Sequence, residues 1–245
     1  MKIIGIIPAR YASTRFPGKP LIDIAGKSMI QRVFEQAKKS TCLAEVIVAT
    51  DDARIEQHVK AFGGNVIMTA ETHQSGTDRC FEAIQKYNDN ADVVINIQGD
   101  EPFIQPQQID LLAACFNSND VQLATLIKKV SNNEELFNVN TPKVIIDKNG
   151  NAIYFSRQTI PSIREKQTSD WLLNHTFYKH IGIYGYTIKA LSEITVLQPS
   201  ALERAEGLEQ LRWIENGYKI KVNVTDFESV AIDVPDDLKK LTKFL

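Results

Sequence analysis

The fold class follows from residues 2–21, which read KIIGIIPARYASTRFPGKPL. The apolar run Ile3–Ile7 is too short, and too soon interrupted by Pro8 and Arg10, for a membrane span or the apolar region of a signal peptide. It is typical of a buried first strand, followed directly by a basic loop. Because ligands of open α/β sheets lie beyond the carboxyl ends of the strands, we expect this loop to border a binding site.

Similar runs alternate with helical patterns through the first half of the chain. Short β-branched runs predict strands over Lys2–Ile7, Glu45–Thr50, Val66–Thr69, Asp92–Ile97 and Gln122–Val130. Apolar residues at helical spacing predict helices around Met29–Ala37, Ile55–Phe62, Cys80–Tyr87 and Ile109–Phe116. This alternation indicates an α/β fold, with a mainly parallel sheet and helices on both of its faces.

The pattern changes near residue 131. Residues 144–155 are typical of a hairpin in which Asn149-Gly150 suits a type I′ turn, and residues 156–179 have no clear period. We therefore predict one domain over residues 1–245, with an inserted hairpin and loop subdomain at about 131–180. The later patterns predict a strand at Ile181–Tyr186, helical segments at Ile188–Leu197 and Leu202–Asn216, strands at Lys219–Val224 and Val230–Ile232, and a closing helix over Asp236–Phe244.

Composition restricts the class of function. Apolar and charged residues make up 43% and 24% of the chain, as in ordinary soluble domains, and the formal net charge of -2 gives no overall attraction for nucleic acid or an anionic membrane. The three cysteines, Cys42, Cys80 and Cys115, have no CxxC spacing, which argues against a disulfide framework or a zinc site. We therefore predict a protein of a reducing, cytoplasmic compartment, with neither nucleic acid nor membrane as partner.

The loop after the first strand is rich in cations. Arg10, Arg15 and Lys19 occur there with the hydroxyls of Ser13 and Thr14 and without an acidic residue. A guanidinium group can donate two parallel hydrogen bonds to a pair of phosphate oxygens, and lysine supplies a mobile point charge. The pattern therefore indicates a polyphosphate site. A solvated basic loop is the alternative. The common phosphate motifs are missing, because no GxGxxG follows the strand and residues 26–28 are better interpreted as a turn and a helix cap.

Two aspartates stand at the ends of predicted strands. Asp100 follows the strand at Asp92–Ile97, and Asp233 follows Val230–Ile232. A carboxylate directed at a phosphate pocket is favourable when a hard cation such as Mg²⁺ lies between them. The alternatives are a turn aspartate at position 100 and a helix-entry residue at position 233. Spacing alone does not indicate that the two carboxylates meet.

Six blocks of sequence occur in a characteristic order, namely Ile6–Leu21, His73–Arg79, Asn96–Pro102, Tyr154–Arg157, His180–Tyr186 and Leu208–Arg212. Together they resemble the sugar nucleotidyltransferases, and specifically the CMP-Kdo synthetases, also called 3-deoxy-manno-octulosonate (Kdo) cytidylyltransferases. The resemblance runs nearly from one end of the chain to the other. It implies a Rossmann-like nucleotidyltransferase fold with a smaller, β-containing dimerisation subdomain, and therefore a homodimer.

The resemblance also implies an activity and a set of site residues. The expected enzyme is Mg²⁺-dependent, transfers CMP from CTP to the anomeric hydroxyl of Kdo, releases pyrophosphate and forms CMP-Kdo for lipopolysaccharide biosynthesis. The implied catalytic residues are Arg10, Arg15, Lys19 and Asp100, and the implied Mg²⁺ ligands are Asp100 and Asp233. The implied nucleotide-binding residues are Ala9, Arg10, Ser13, Lys19, Gln74, Ser75 and Gln98. The implied sugar-binding residues are Arg79, Arg157, His180, Tyr184, Glu209 and Gln210.

Structural roles remain open for several of these positions. Ser75 or Thr77 is equally suited to cap a helix, and His180 to be a satisfied, partly buried histidine. Tyr184 is equally suited to packing. Glu209 and Gln210 fall in a predicted amphipathic helix, where solvated polar side chains are common.

Other functions also remain open. CMP-sialate synthetases share the Ile-Pro-Ala-Arg opening, but their loop usually continues with Gly-Gly-Ser-Lys, where this chain has Tyr11-Ala12-Ser13-Thr14. An 8-amino derivative of Kdo is harder to distinguish as substrate, since one exchanged hydroxyl need not alter a motif. A non-catalytic, nucleotide-binding regulator would be expected to lack an acid or base of the site, whereas this chain retains Arg10, Lys19, Asp100 and Asp233.

Overall fold

The computed structural model describes residues 1–12, 16–87, 90–228 and 230–238. The strands are β1 Ile3–Ala9, β2 Asp23–Ile24, β3 Lys27–Ser28, β4 Leu43–Thr50, β5 Asn65–Met68, β6 Val93–Asn96, β7 Leu123–Lys129, β8 Lys143–Ile146, β9 Ala152–Ser156, β10 Tyr178–Thr187 and β11 Ile220–Val224. The α-helices are α1 Met29–Ala37, α2 Ala53–Ala61, α3 Gly76–Lys86, α4 Pro106–Ala113, α5 Asn133–Phe137, α6 Trp171–Asn174, α7 Ile188–Ile194, α8 Ala201–Glu206 and α9 Gln210–Glu215. Shorter 3₁₀ helices cover Lys19–Leu21, Ala114–Asn117 and Thr168–Asp170. Ser13, Arg15 and most of the predicted closing helix lie outside the described residues.

One large sheet organises the chain. Its strand order is β11-β7-β10-β6-β1-β4-β5, in which β10 runs antiparallel to both of its neighbours and the other strands run in one direction. The predicted, mainly parallel sheet is therefore confirmed. β1 pairs with β6 on one side and β4 on the other, so the carboxyl ends of these strands meet at one edge of the sheet.

Apolar cores cover both faces of the sheet, as the helical patterns predict. On one face, α1, α2 and α4 contribute Ile30, Val33, Ile55, Val59 and Leu112 to a core with side chains of β1, β4 and β6. On the other face, α3, α7 and α9 contribute Cys80, Ile84, Leu191, Leu211 and Trp213. No helix in the described ranges is long and apolar enough to cross a membrane.

The region at 131–180 has a small core of its own. The α5–α6 part packs around Leu136, Trp171 and Phe177, next to Val130 at the end of β7. The hairpin of β8 and β9 joins the main sheet, because β8 pairs with the first residues of β10. The boundaries of a separate subdomain stay a prediction.

The hairpin turn differs from the predicted type I′ turn. Such a turn needs positive φ at both central residues, and only Gly150 of the Asn149-Gly150 pair has one, at 73°. The carboxylate of Asp147 accepts hydrogen bonds from the backbone N–H groups of Asn149 and Asn151, each at 2.8 Å. Asp147 therefore organises a longer loop around its own side chain.

Two further predictions for the second half are wrong. The predicted helix Leu202–Asn216 is split into α8 and α9 by Gly207, whose left-handed φ of 61° ends α8. Val230–Ile232 forms no strand in the described structure. Ile232 instead packs with Ile24 and Met29, since the chain leaves the sheet after β11 and crosses to a separate apolar cluster.

We predict that Gly185→Ala destabilises the sheet. A Cβ at Gly185 would lie 2.6 Å from Cε2 of Phe116, a ring packed in the core with 5% of its surface exposed. Overpacking of this kind costs about 1–3 kcal/mol, and in a chain of this size each kcal/mol lowers the Tm by roughly 2–4 °C. Thermal denaturation measures the shift. Gly182→Ala in the same strand is the control, because its Cβ would meet no atom closer than Cγ of Gln98 at 3.9 Å; equal Tm values for the two variants would contradict the prediction.

Candidate functional site

A polar pocket lies beyond the carboxyl ends of β1 and β6. This first pocket has a volume of about 240 Å³, and its wall includes the predicted residues Ala9, Arg10, Lys19, Gln74, Ser75, Gln98, Asp100 and Asp233. Most of the positions predicted to bind nucleotide or metal therefore lie around one space. Ser13 and Arg15, predicted for the same site, lie outside the described residues.

Backbone geometry brings the ends of β1 and β6 close together. A Cβ at Gly99 would lie only 2.8 Å from the carbonyl oxygen of Pro8, so a side chain at position 99 would force the two segments apart. On the β1 side, the N–H of Gly18 donates to the carbonyl of Tyr11 at 3.0 Å and closes the basic loop just before Lys19. These contacts direct Lys19 and Asp100 towards the same point.

Lys19 joins the two predicted metal-binding aspartates. Its Nζ lies 2.7 Å from Oδ2 of Asp100 and 3.5 Å from Oδ1 of Asp233, and its side chain is 15% exposed. The N–H of Ile232 donates to the carbonyl of Asp100 at 2.9 Å, which holds the segment before Asp233 against the end of β6. The two carboxylates, distant in sequence, therefore meet, as the family resemblance implies and spacing alone does not.

The donor set fits a magnesium ion that is shared with a phosphate. Asp100 and Asp233 present carboxylate oxygens to one point, and no cluster of three or more His, Cys, Asp or Glu residues is found in the part of the chain that the structure describes. Mg²⁺ is usually held by one or two carboxylates together with substrate phosphates and water, and not by a cage made entirely of protein ligands. Two carboxylates beside a basic pocket meet that requirement.

One wall of the first pocket is the start of α3. Oγ of Ser75 accepts from the N–H of Asp78 at 3.1 Å, so Ser75 caps this helix while also lining the pocket. Nε2 of Gln74 donates to the carbonyl of Thr72 at 3.0 Å. Arg79, predicted for the sugar, lies on this wall with only 4% of its surface exposed, and donates to Oδ2 of Asp51 at 2.8 Å.

A second pocket adjoins the first. Its wall includes the predicted sugar residues His180, Tyr184, Glu209 and Gln210, together with Thr77 and Asn96. The two pockets share Gly76, Gln98 and Asp100. Four of the six predicted sugar positions therefore lie in a pocket that meets the first pocket at Asp100, whereas Arg79 lies on the wall of the first pocket.

Three side chains of the second pocket stay uncharged or resist ionisation. Burial lowers the pKa of His180 to about 3, and its Nε2 lies 3.0 Å from Oγ1 of Thr125. Burial raises the pKa of Tyr184 well above its usual value. Burial also raises the pKa of Glu209, although Oε2 of this carboxyl accepts a hydrogen bond from Oγ1 of Thr77 at 3.0 Å. Such a wall suits a ligand with many hydroxyl groups, which both donate and accept hydrogen bonds.

Arg157 lies outside the walls of both pockets. Its guanidinium donates to the carbonyl of Glu206 at 2.6 Å and to that of Gly207 at 3.2 Å, and its backbone N–H donates to Oε2 of Glu206. In the structure it therefore holds the turn between α8 and α9, from which Glu209 and Gln210 project. Its predicted contact with the sugar stays a prediction.

Sequence reasoning missed Asn96 and Thr77 as residues of the second pocket. Asn96 is 4% exposed at the end of β6, and its Oδ1 has no hydrogen-bond partner among the described residues. The signal was present, because an asparagine ending an otherwise apolar run is costly to bury unless its amide has a partner. Thr77 was considered only as a helix cap.

Known proteins are similar to this chain in sequence and in fold. Residues 4–220 match the family model described as cytidylyltransferase. The chain is 59% identical, over its whole length and 98% of the relative, to a 3-deoxy-manno-octulosonate cytidylyltransferase of Parabacteroides distasonis. It is 60% identical to another of that name from Cytophaga hutchinsonii, over 99% of this chain and 97% of the relative. Among solved structures it is similar to a CMP:2-keto-3-deoxy-manno-octonic acid synthetase complexed with CTP, with a TM-score of 0.91 and 41% identity over 100% of this chain and 98% of the other.

We predict that His180 makes the free energy of unfolding depend on pH. Its pKa is about 3 in the native protein and about 6.5 in an unfolded chain, so the unfolded state binds the extra proton as pH falls below about 6.5. The stability that the neutral ring contributes is therefore present above that pH and is lost as pH falls towards 3. Between pH 7 and 5 the free energy of unfolding should decrease by at most about 2 kcal/mol from this group.

Denaturant unfolding at pH 7 and pH 5 tests this expectation. His180→Gln should lose less stability over this interval than the unmodified protein. His175→Gln, which changes an exposed histidine, is the control and should lose as much as the unmodified protein. Equal losses in all three proteins would show that His180 is not the group responsible.

Proposed function

The chain belongs to the 3-deoxy-manno-octulosonate cytidylyltransferases of the cytidylyltransferase family, and from this membership we propose that it transfers CMP from CTP to the anomeric hydroxyl of Kdo, with release of pyrophosphate. The observation that carries the proposal is the position of Asp100, which lies between a basic pocket and a neighbouring pocket suited to hydroxyl groups. The transferring phosphorus has to lie at such a boundary, because it is bonded to the nucleotide and is attacked by the sugar.

The nucleotide binds in the first pocket. Transfer of a phosphoryl-type group needs little covalent work from the protein, so its main tasks are to orient the substrates and to neutralise charge. Arg10 and Lys19 hold the triphosphate and stabilise the leaving pyrophosphate, and Arg15 and Ser13 of the same loop are assigned to this group. Gln74 and Ser75 recognise cytosine by hydrogen bonds, since a wrong base would leave buried polar groups unpaired.

Kdo binds in the second pocket, with its anomeric hydroxyl towards Asp100. Glu209 and Gln210 bind sugar hydroxyls, and the neutral His180 and Tyr184 complete the hydrogen-bonding wall. Glu209 is held inward by Thr77 at 3.0 Å, and the turn that carries it is held by Arg157. The family resemblance assigns Arg79 and Arg157 to the sugar, but Arg79 lies on the wall of the first pocket and Arg157 outside both walls, so the cation for the sugar carboxylate stays unassigned.

Mg²⁺ is proposed as cofactor, held by Asp100 and Asp233. Bound there, the ion would neutralise charge on the phosphate and would lower the pKa of the attacking hydroxyl, so that a separate general base would not be required. Lys19 already pairs with both carboxylates in the structure, and a triphosphate offers its ammonium group an alternative partner. The lysine and the metal therefore compete for the same two carboxylates.

A cytoplasmic homodimer completes the proposal. Exposed apolar side chains gather in the 131–180 region, where Phe137, Val139 and Leu173 are 42%, 49% and 85% exposed. Such side chains favour burial against a second copy of the chain. The free thiols of Cys42, Cys80 and Cys115 are compatible with a reducing compartment.

The activity is tested by pyrophosphate release with each of the four nucleoside triphosphates and a panel of sugar acids, with and without Mg²⁺. CTP with Kdo and Mg²⁺ should give the highest kcat/KM. Kdo, its 8-amino derivative and a sialic acid are compared side by side. Release of pyrophosphate with none of these acids would refute the proposed function.

We predict that Asp100→Asn lowers kcat by about 100-fold or more, because it removes the charge that holds the metal at the transferring phosphate. Steady-state kinetics under saturating CTP and Kdo measure the loss, and circular dichroism verifies the fold. Asp120→Asn is the control, since it makes the same change in an exposed turn. Normal turnover by the Asp100 variant would remove Asp100 from the mechanism.

We also predict that Lys19→Met binds Mn²⁺, a paramagnetic probe for the Mg²⁺ site, at least about tenfold more tightly than the unmodified protein when no nucleotide is present. Removal of the ammonium leaves two carboxylates with a net attraction for a cation. Electron paramagnetic resonance of free Mn²⁺ measures the affinity without any turnover. Lys27→Met, which removes the partner of Glu35 in a half-exposed pair, should leave it unchanged. Equal Mn²⁺ affinity in all three proteins would show that Lys19 does not compete with the metal.

A further inference from the structure

The loop between β5 and α3 forms part of the wall of the first pocket. This 69–75 loop contributes His73, Gln74 and Ser75 to the wall. Its last residue is fixed because Ser75 caps α3. The rest of the loop needs other contacts, since the helix cap alone does not determine where the preceding residues lie.

Glu82, on α3, supplies those contacts from outside the pocket. Its Oε2 accepts a hydrogen bond from the N–H of Ala70 at 2.8 Å, and the same oxygen is hydrogen-bonded to Nε2 of His73. Its Oε1 pairs at 2.6 Å with Nζ of Lys86, which in turn donates to the carbonyl of Met68 at 2.9 Å. One carboxylate and its lysine partner therefore hold the chain from the end of β5 to His73.

These bonds are of the charge-assisted kind. The side chain of Glu82 is 20% exposed, and that of His73 is 19% exposed. Burial of Glu82 opposes its ionisation, but hydrogen bonds from Lys86, Ala70 and His73 outweigh it and hold the pKa of the carboxyl at about 2. An ionised acceptor makes shorter and stronger hydrogen bonds than a neutral one, so the loop is held firmly.

We infer that Glu82 is a positioning residue for nucleotide recognition: it fixes the 69–75 loop and orients the ring of His73 in the pocket wall. The inference rests on the proposed function, in which Gln74 and Ser75 recognise the base. Gln74 lies between His73, which Glu82 holds, and Ser75, which caps α3. Recognition by hydrogen bonds depends on placement, and a displacement of about 1 Å is enough to weaken it strongly.

The test compares Glu82→Ala and Glu82→Gln with the unmodified protein. Glu82→Ala should raise KM for CTP by about tenfold. It should raise Kd for CTP, measured by calorimetry without sugar, by the same factor. Its kcat should stay within about threefold of that of the unmodified protein. This split is expected because the loop contributes binding to both ground and transition state. The preference for CTP over UTP should also fall by about tenfold. The KM and Kd for CTP of Glu82→Gln should lie between those of Glu82→Ala and the unmodified protein, since the amide oxygen still accepts one hydrogen bond.

Glu56→Ala is the matched control. Glu56 lies on α2 and pairs with Lys60 at i,i+4 and 2.7 Å, as Glu82 pairs with Lys86, but it is not a residue of the pocket wall. It should change neither Kd for CTP nor the CTP-to-UTP preference. This control separates the loss of a helical ion pair from the loss of the loop contacts.

The outcomes are distinct. A lower Tm of Glu82→Ala with unchanged Kd for CTP and unchanged preference would overturn the inference, as would equal effects of Glu56→Ala. If Glu82→Ala does not fold, the same comparison is decided with Glu82→Gln. If the unmodified protein releases no pyrophosphate from CTP and Kdo, the proposed function fails, while the calorimetric comparison of CTP and UTP still decides the role of Glu82.

Discussion

The contact of one ammonium group with two carboxylates holds the site together. Lys19 comes from the loop after β1, Asp100 from the end of β6, and Asp233 from a segment that has left the sheet. Two carboxylates that face one point repel each other unless a cation lies between them. Lys19 supplies that cation in the ligand-free protein, and the same ammonium group can pair with a triphosphate when one binds. The arrangement therefore remains compatible with folding before any ligand binds and with anion binding afterwards.

The two pockets differ in charge. The first pocket contains the cations Arg10 and Lys19, which suit the triphosphate that the proposed function places there. The second is lined by the neutral His180 ring and by Tyr184 and Glu209, whose pKa values burial raises. A wall with an uncharged imidazole, an uncharged phenol and buried carboxyl groups offers hydrogen-bond donors and acceptors but, among the described residues, no cation for the triphosphate. In the proposed function, this difference in charge assigns each substrate to its own side of Asp100.

The sequence predicted the sheet well because its strands are buried and its helices have one apolar face. It failed where an apolar run had a different partner: Val230–Ile232 resembles a strand, but Ile232 packs with Ile24 and Met29. It also failed at Asn149, where the carboxylate of Asp147 competes for the backbone. The site residues came from the chemistry of the basic loop and from the family resemblance. The meeting of Asp100 and Asp233 is a tertiary contact, which no local pattern encodes.

The break at Gly207 has a consequence for the site that a continuous helix would not allow. Because α8 ends there, the chain turns, and Glu209 reaches inward to Thr77 in the first turn of α3. The same turn begins with Ser75, on the wall of the first pocket, and Gly76 borders both pockets. The amino end of a helix carries a partial positive charge, which favours an anion close to it. One helix start thus contacts both pockets and adds its dipole where the proposed function places the transferring phosphate.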